Sequence, residues 1–140
     1  CNIGSNALIG PYARIRPNTS IDNKTQIGTF VEIKNSNIGS NCKINHLTFI
    51  GDSQIKNNVI IGAGSVTCNY DGRKNQQTHI EEGVFIGSGV FLVAPLTVGK
   101  GATIGSGSVI TEDVPPKKLT LARSRQITIK DWKGPKTHSE

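Results

Sequence analysis

The sequence predicts an all-β fold, a solenoid of short strands stacked in triangular coils. Aliphatic residues recur every six residues, with two steps of five and one interruption, at 17 positions from Ile3 to Ile110, and 15 of these are Ile. Gly follows nine of them, and a small residue or Val stands two residues before all but one. Since residues two apart in a strand face the same side, each hexad is a short strand with two inward side chains and then a turn. Three strands close a coil of about 18 residues, and successive coils cover one another.

The composition agrees with strands and excludes several other classes. The 140 residues include 18 Ile but only 6 Leu and no Met, which argues against a helical bundle. We expect no membrane partner, because no apolar run approaches about 20 residues. The net charge is +6, but the basic residues are scattered until the last 30 residues, and basic clusters with stacking aromatics are lacking, so we expect no nucleic-acid partner. Three cysteines without a disulfide spacing are typical of a cytoplasmic protein.

The sequence begins with Cys1 instead of Met, and Cys1 already belongs to the first hexad of the repeat. We therefore interpret the chain as a fragment or a processed product. Cys1 and Cys42 occupy small inward positions, which indicates a structural role. Cys68 lies off the register, and nothing in the sequence predicts a lowered pKa for it. The solenoid is expected to span residues 1–111.

One interruption separates Ile61 from Ile80, where Thr67 can fill one further hexad. The remaining stretch, an insertion at about 68–78, is rich in Asn, Asp and Gly and is expected to be a loop. A loop on a rigid scaffold often carries binding residues, but a tolerated surface insertion is an equal alternative on composition alone.

The repeat stops after Ile110, and Pro115-Pro116 blocks its continuation. Residues 112–140 are expected to be a C-terminal tail that caps the solenoid, with a short helix over 127–134 around Trp132. Arg123 and Arg125 give the same tail a second possible role, the binding of phosphates.

His46 is the titratable residue of greatest interest, because it lies outside the inward register, two residues after Ile44. A neutral imidazole there could act as a general base, and Glu32 from an earlier coil could orient it. An ordinary surface histidine is the alternative on position alone. His79 and His138 share no register with His46, so we expect no metal site.

Seven strings in order carry a specific family resemblance: GPYARIRP at 10–17, FVEIK at 30–34, HLTFIGD at 46–52, IGAG at 61–64, TCNYDG at 67–72, LVAP at 92–95 and VGKGA at 98–102. They resemble the acetyltransferase domain of the bacterial bifunctional UDP-N-acetylglucosamine pyrophosphorylase/glucosamine-1-phosphate N-acetyltransferases, within the hexapeptide-repeat acyltransferases. The resemblance implies a left-handed parallel β-helix and homotrimers with sites between subunits. It places the uridylyltransferase domain, with its magnesium, N-terminal to this chain and absent from it.

The resemblance also implies a reaction and a set of residues. Acetyl-CoA would acetylate the amine of glucosamine 1-phosphate, on the route to UDP-N-acetylglucosamine and to cell-wall and lipid A precursors. His46 would be the general base, supported by Glu32. The positions that match sugar-phosphate binding are Arg16, Lys34, Phe49, Ile60, Asn69 and Asn75. The positions that match acetyl-CoA binding are Ala63, Asn69, Tyr70, Ser88, Ser106 and Arg123.

Three of these positions depart from the family pattern. Phe49 stands where Tyr is usual, Ile60 where Asn is usual, and Asn75 where a loop Lys is usual, although Lys74 is adjacent. Each lost hydrogen bond to a charged group costs roughly 1.5–3 kcal/mol. Two alternatives therefore stay open: a degenerate, structural trimerisation module, and an acyltransferase for a different amino sugar.

Overall fold

The computed structural model describes residues 1–136. His138, for which the sequence predicts no shared register with His46, therefore lies outside the described residues. Within this range the chain contains strands and no helix. The 19 strands are β1 Asn2–Ile3, β2 Leu8–Ile9, β3 Arg14–Ile15, β4 Ser20–Ile21, β5 Gln26–Ile27, β6 Glu32–Lys34, β7 Asn37–Ile38, β8 Lys43–Ile44, β9 Phe49–Gly51, β10 Ser53–Ile55, β11 Ile60–Ile61, β12 Val66–Cys68, β13 Thr78–Ile80, β14 Phe85–Ile86, β15 Phe91–Val93, β16 Leu96–Val98, β17 Thr103–Ile104, β18 Val109–Ile110 and β19 Leu119–Thr120.

Up to β18, each strand pairs in parallel with the strands three places before and after it in the chain, so the strands form three sheets. Sheet A has the order β1-β4-β7-β10-β13-β16, sheet B the order β19-β17-β14-β11-β8-β5-β2, and sheet C the order β18-β15-β12-β9-β6-β3. The chain therefore makes six complete coils and adds one strand of a seventh. This is the predicted left-handed parallel β-helix.

The inward aliphatic positions form the core, as the periodicity predicts. From Ile21 to Ile110 every one of them is buried, with at most 3% of its surface exposed. Thr67 is buried in β12, which confirms the extra hexad before the loop. Ile3 and Ile9 are 49% and 37% exposed because they belong to the first coil, which has a neighbouring coil on one side only.

Three corners connect the sheets, and we name each by the sheets that it joins. Corner AB comprises residues 4–7, 22–25, 39–42, 56–59, 81–84 and 99–102. Corner BC comprises residues 10–13, 28–31, 45–48, 62–65, 87–90 and 105–108. Corner CA comprises residues 16–19, 35–36, 52, 69–77 and 94–95. The insertion predicted at about 68–78 thus emerges from corner CA.

The C-terminal segment differs from the prediction in two ways. Parallel pairing continues beyond Ile110, because Val114 is buried beside Val98 and β19 adds to sheet B. The expected helix over 127–134 is wrong: this stretch is irregular and almost wholly exposed. Ile127, Ile129 and Trp132 are exposed and pack on no buried cluster within residues 1–136. A short amphipathic helix depends on such packing for its stability.

Two glycines of corner AB should respond differently to substitution, one with a loss of stability and the other with almost no change. A Cβ on Gly39 would lie 2.7 Å from the carbonyl carbon of Lys56 and 2.8 Å from the Asn57 nitrogen, both backbone atoms of the next coil. Gly39→Ala should therefore lower the free energy of unfolding by about 1–3 kcal/mol, measured by urea denaturation.

The matched control is Gly83→Asn at the same corner. Gly83 has a φ of +74°, and a Cβ there would come no closer than 4.0 Å to another residue, at the Gly101 Cα, which is an ordinary contact. Asn58 already occupies the equivalent place one coil earlier at a φ of +60°. Asn tolerates this conformation, so its effect should stay within about 0.5 kcal/mol. Equal losses for both variants would contradict the close approach of the coils at Gly39.

Candidate active site

Corner BC places His46 at the head of a column of small residues. His46, Ala63, Ser88 and Ser106 occupy the same place in four successive coils. Backbone hydrogen bonds hold the column together: the N–H of Gly64 donates to the His46 carbonyl at 3.0 Å, and the N–H of Gly89 donates to the Ala63 carbonyl at 2.9 Å. The imidazole itself is exposed. The predicted base and three predicted cofactor residues therefore share one edge of the molecule.

The column beyond His46 is unusually smooth. Each of its turns has the form Gly-small-Gly, and a Cβ placed on Gly64, Gly89 or Gly107 would meet no heavy atom within 4 Å. Arg123 closes the far end, where its Nη1 donates to the Ser106 carbonyl at 2.7 Å. We call this strip, from Ala63 to Ser106, the smooth strip.

Large apolar residues occupy the same corner on the other side of His46. Tyr12, Phe30 and Leu47 have φ angles of 59°, 59° and 62° and exposed fractions of 78%, 60% and 61%. The rings of Tyr12 and Phe30 stack with centroids 5.7 Å apart. Bulky side chains rarely adopt this left-handed conformation. With His46, part of this surface lines a cleft of about 530 Å³.

Corner CA gathers the predicted phosphate-binding cations. Arg16 and Lys34 line a second cleft of about 300 Å³, which Asn75 of the loop also borders. Arg16 Nη1 lies 3.1 Å from Glu32 Oε2, and Lys34 Nζ lies 3.4 Å from Asp52 Oδ2. Two cations therefore face one cleft, each held by a carboxylate.

Asn69 joins this cluster at the base of the loop. Its Nδ2 donates to Asp52 Oδ2 at 2.6 Å. A Cβ on Gly51 would lie 2.5 Å from Asn69 Nδ2 and 2.9 Å from the ring of Phe49. The absence of a side chain at Gly51 thus lets Phe49 and Asn69 close over the strand.

The loop above this cluster is organised by Asp71. Its Oδ1 accepts the backbone N–H groups of Arg73 and Lys74 at 2.8 and 2.9 Å, and its Oδ2 accepts Gln76 Nε2 at 2.8 Å. The Gln76 hydrogen bond, followed by those of the two N–H groups, lowers the pKa of Asp71 to about 2. Tyr70 and Asn75 pair across the loop in an antiparallel bridge.

The predicted site residues thus form two groups at opposite edges of sheet C. Ile60 lies apart from both, on the outer face of sheet B between Lys43 and Phe85. Among the described residues no hydrogen bond joins Glu32 to His46, since Glu32 pairs with Arg16.

The sequence reasoning missed Asp52. A signal was available, because both five-residue steps of the repeat shorten corner CA, one at Asn35 and one at Asp52. The shortened turns bring these two side chains to 2.7 Å from each other.

The surroundings of Cys42, in corner AB away from the site, and of Cys68, at the base of the loop, do not favour a nucleophilic thiolate. Burial raises the pKa of Cys42, which lies in the core, and that of Cys68, which lies beside Asn69. A raised pKa leaves the thiol protonated near neutral pH and weakly reactive.

The fold and the site together define a class of protein: a parallel β-helix built from hexad repeats, with a cleft lined by a histidine at one corner. The family model "Bacterial transferase hexapeptide (six repeats)" matches residues 1–35 and 77–112, and the chain belongs to this family.

Among curated proteins, the chain is 55% identical over 138 residues to "Bifunctional protein GlmU" of Nitrosomonas eutropha. The alignment covers 99% of this chain and 30% of that protein. It is 54% identical over 133 residues to "Bifunctional protein GlmU" of Coxiella burnetii, with 95% and 29% covered. The chain therefore spans about 30% of the length of these relatives.

Among solved structures, the acetyltransferase domain of PglB from Neisseria gonorrhoeae in complex with acetyl coenzyme A aligns with a TM-score of 0.73 at 25% identity, covering 81% of this chain and 53% of that chain. A point mutant of AntD, an N-acyltransferase from Bacillus cereus, in complex with dTDP and coenzyme A, aligns with a TM-score of 0.77 at 20% identity, with 89% and 84% covered. The likeness to AntD concerns the fold alone.

The loop geometry predicts an unusual acid titration. The pKa of Asp71 is about 2 in the folded protein, below its ordinary value of 3.8, so the ionised carboxylate supports the loop fully above pH 3.8 and loses this role as the pH falls through about 2. In NMR titrations, the amide shifts of Arg73 and Lys74 should change with a midpoint near pH 2.

Asp71→Asn supplies the control, because it removes the titrating group and should abolish this transition. A midpoint near 3.8 in the unmodified protein would show that the carboxylate does not hold the loop.

Proposed function

We propose that the chain transfers the acetyl group of acetyl-CoA to the amine of glucosamine 1-phosphate, giving N-acetylglucosamine 1-phosphate. The observation that carries the proposal is His46 at the head of the smooth strip, with Arg123 at its far end. The curated relatives, named as bifunctional GlmU proteins, support the same reaction.

The smooth strip fits the pantetheine arm of acetyl-CoA. Stacked strands lie about 4.8 Å apart, so three coil spacings, about 14 Å, separate His46 from Ser106, whose carbonyl the Arg123 guanidinium contacts. Small side chains at Ala63, Ser88 and Ser106 leave room for a thin, extended chain along the corner. Arg123 then meets the phosphate end of the cofactor, since a guanidinium binds phosphates in a bidentate manner.

His46 acts as the general base. The amine nitrogen attacks the thioester carbonyl, and a tetrahedral intermediate forms with its negative charge on oxygen. His46 takes the proton that the nitrogen loses. When the intermediate collapses, the carbon–sulfur bond breaks, the amide forms, and the CoA thiolate leaves and is protonated. An exposed imidazole suits this task, because an incoming amine can reach it within hydrogen-bond distance.

Arg16 and Lys34 bind the phosphate of the acceptor. Both cations face the cleft of corner CA. Asn75 borders this cleft where a loop lysine is usual in the family, whereas its neighbour Lys74 lines a different cleft beside His79 and Asp113. Phe49 lacks the usual hydroxyl, so we expect weaker acceptor binding than in the family at large. Ile60 lies on sheet B, away from this cleft, and would contact the acceptor only in a site shared with a neighbouring copy.

We further propose that the sites lie between copies of the chain in a homotrimer. The amine and the phosphate of glucosamine 1-phosphate sit on adjacent carbons, whereas His46 and Lys34 belong to opposite edges of sheet C. A neighbouring copy brings one corner BC against another corner CA.

The outer faces support this assembly. Sheet A presents a polar row, which is Asn2, Ser20, Asn37, Gln54, His79 and Thr97. Sheets B and C expose apolar side chains, among them Leu8, Phe85, Phe91 and Val109. Exposed apolar patches are typical of interaction sites. Sheet C is bounded by corners BC and CA, so we assign sheet C, with the apolar residues of corner BC, to the trimer interface.

We place the reaction in the cytoplasm. All three cysteines are free, which fits a reducing compartment. Within residues 1–136, the structure has no helix long and apolar enough to cross a bilayer.

His46→Ala tests the chemical role. The variant should lose about 100- to 10,000-fold in kcat, the range that a general base contributes. The measurement is the release of CoA thiol with acetyl-CoA and glucosamine 1-phosphate. His79→Ala, on the polar face of sheet A, is the matched control and should keep full activity. A His46→Ala variant as active as this control would remove the general base from the proposal.

A further inference from the structure

Asp52 is a buried carboxylate that takes no direct part in the proposed binding of either substrate. Only 5% of its surface is exposed, although it lies at corner CA beside the cleft of Arg16 and Lys34. Charged side chains are seldom buried unless they are paired, so the partners of Asp52 indicate what it does.

Both carboxylate oxygens are occupied. Oδ1 accepts Asn35 Nδ2 at 2.7 Å, while Oδ2 accepts Asn69 Nδ2 at 2.6 Å and lies 3.4 Å from Lys34 Nζ. Lys34 and Asn35 belong to the coil before Asp52 and Asn69 to the coil after it. One carboxylate therefore joins side chains from three successive coils.

The backbone of Asp52 fixes it in the same place. Its N–H donates to the Lys34 carbonyl at 3.0 Å, and its carbonyl accepts the N–H of Thr78 at 3.2 Å, where the chain returns from the loop. Its φ of 49° is in the left-handed region, which Asp and Asn adopt more readily than most residues. Asp52 thus anchors both ends of the loop, through Asn69 and Thr78.

The electrostatics show that the carboxylate stays ionised. Burial alone would raise the pKa of Asp52, but the hydrogen bonds from Asn35 and Asn69 and the charge of Lys34 together lower it below the ordinary value. The negative charge is therefore present at neutral pH and available to hold the Lys34 ammonium.

We propose that Asp52 is the positioning residue of the acceptor site: its carboxylate holds the Lys34 ammonium towards the phosphate and fixes the Asn69 amide at the base of the loop. A lysine side chain is long and flexible, and holding its end in place removes an entropic cost that phosphate binding would otherwise bear. The ammonium keeps further N–H donors free for the phosphate. This inference rests on the proposed function, since it concerns the same acceptor.

The test measures selectivity for the phosphate. Asp52→Asn keeps the size and the backbone preference of the residue but removes the charge and one acceptor oxygen. It should lower kcat/KM for glucosamine 1-phosphate at least tenfold, mainly through KM, and lower kcat/KM for unphosphorylated glucosamine much less. In a Lys34→Ala background, Asp52→Asn should change the ratio of the two kcat/KM values little further, because residues that act through one another are not additive.

Two controls accompany the variant. Asp22→Asn changes an exposed carboxylate at corner AB and should leave both reactions unchanged. Asp52→Gly tolerates the same backbone conformation, so it replaces Asp52→Asn if the latter does not fold, and it should show the same loss of selectivity.

The outcomes separate the two proposals. If the unmodified protein acetylates glucosamine 1-phosphate but the Asp52 variants keep its selectivity, or lose both reactions equally, the positioning role is overturned. If the unmodified protein neither binds nor acetylates glucosamine 1-phosphate, the proposed function fails first, and the inference fails with it.

Discussion

The stacking of one inward aliphatic per strand is the constraint on which the rest of this molecule depends. Fourteen aliphatics from Ile21 to Ile110 are nearly inaccessible to solvent, and each packs on its counterparts in the coils above and below. Each fully buried side chain of this kind contributes about 1.5–3 kcal/mol. This packing is possible only because the corners are thin, as at Gly39 and Gly62, where any Cβ would collide with the backbone of the next coil.

The same constraint turns one position of the hexad into a vertical column on the surface. At corner BC, the position two residues after the inward aliphatic forms one column. Its members are His46, Ala63, Ser88 and Ser106. At corner CA, shortened turns and the loop yield Lys34, Asp52 and Asn69. A rigid core thereby supplies two columns of opposite character, one smooth and nearly uncharged, the other dense in ion pairs. The proposed acetyl transfer to glucosamine 1-phosphate uses both: a track for a long cofactor and a charged cleft for the phosphate of the acceptor.

The periodicity was sufficient to predict the triangular solenoid, because burial of Ile every six residues leaves little freedom, whereas its left-handed sense was implied by the family resemblance. Thr67 was placed correctly in its hexad on the same ground. The pairing of Arg16 with Glu32, rather than of Glu32 with His46, could not be predicted, because it depends on which neighbour a long outward side chain meets across coils. The helix expected around Trp132 was wrong, since local composition does not report whether the segment has a core to pack on. The family resemblance suggested the candidate residues, but the separation of His46 from Lys34 across sheet C became visible only in three dimensions.

That separation makes a shared site the central claim, and complementation between two impaired variants, assayed at glucosamine 1-phosphate concentrations well below KM, tests it most directly. Co-expressed His46→Ala and Lys34→Ala chains should form mixed trimers in which some sites combine an intact His46 from one copy with an intact Lys34 from its neighbour. With random assembly, about a quarter of the sites are restored, so acetylation of glucosamine 1-phosphate should recover to about that fraction of the unmodified rate. If the mixed preparation stays as inactive as either variant alone, His46 and Lys34 act within one chain, and the shared site is contradicted.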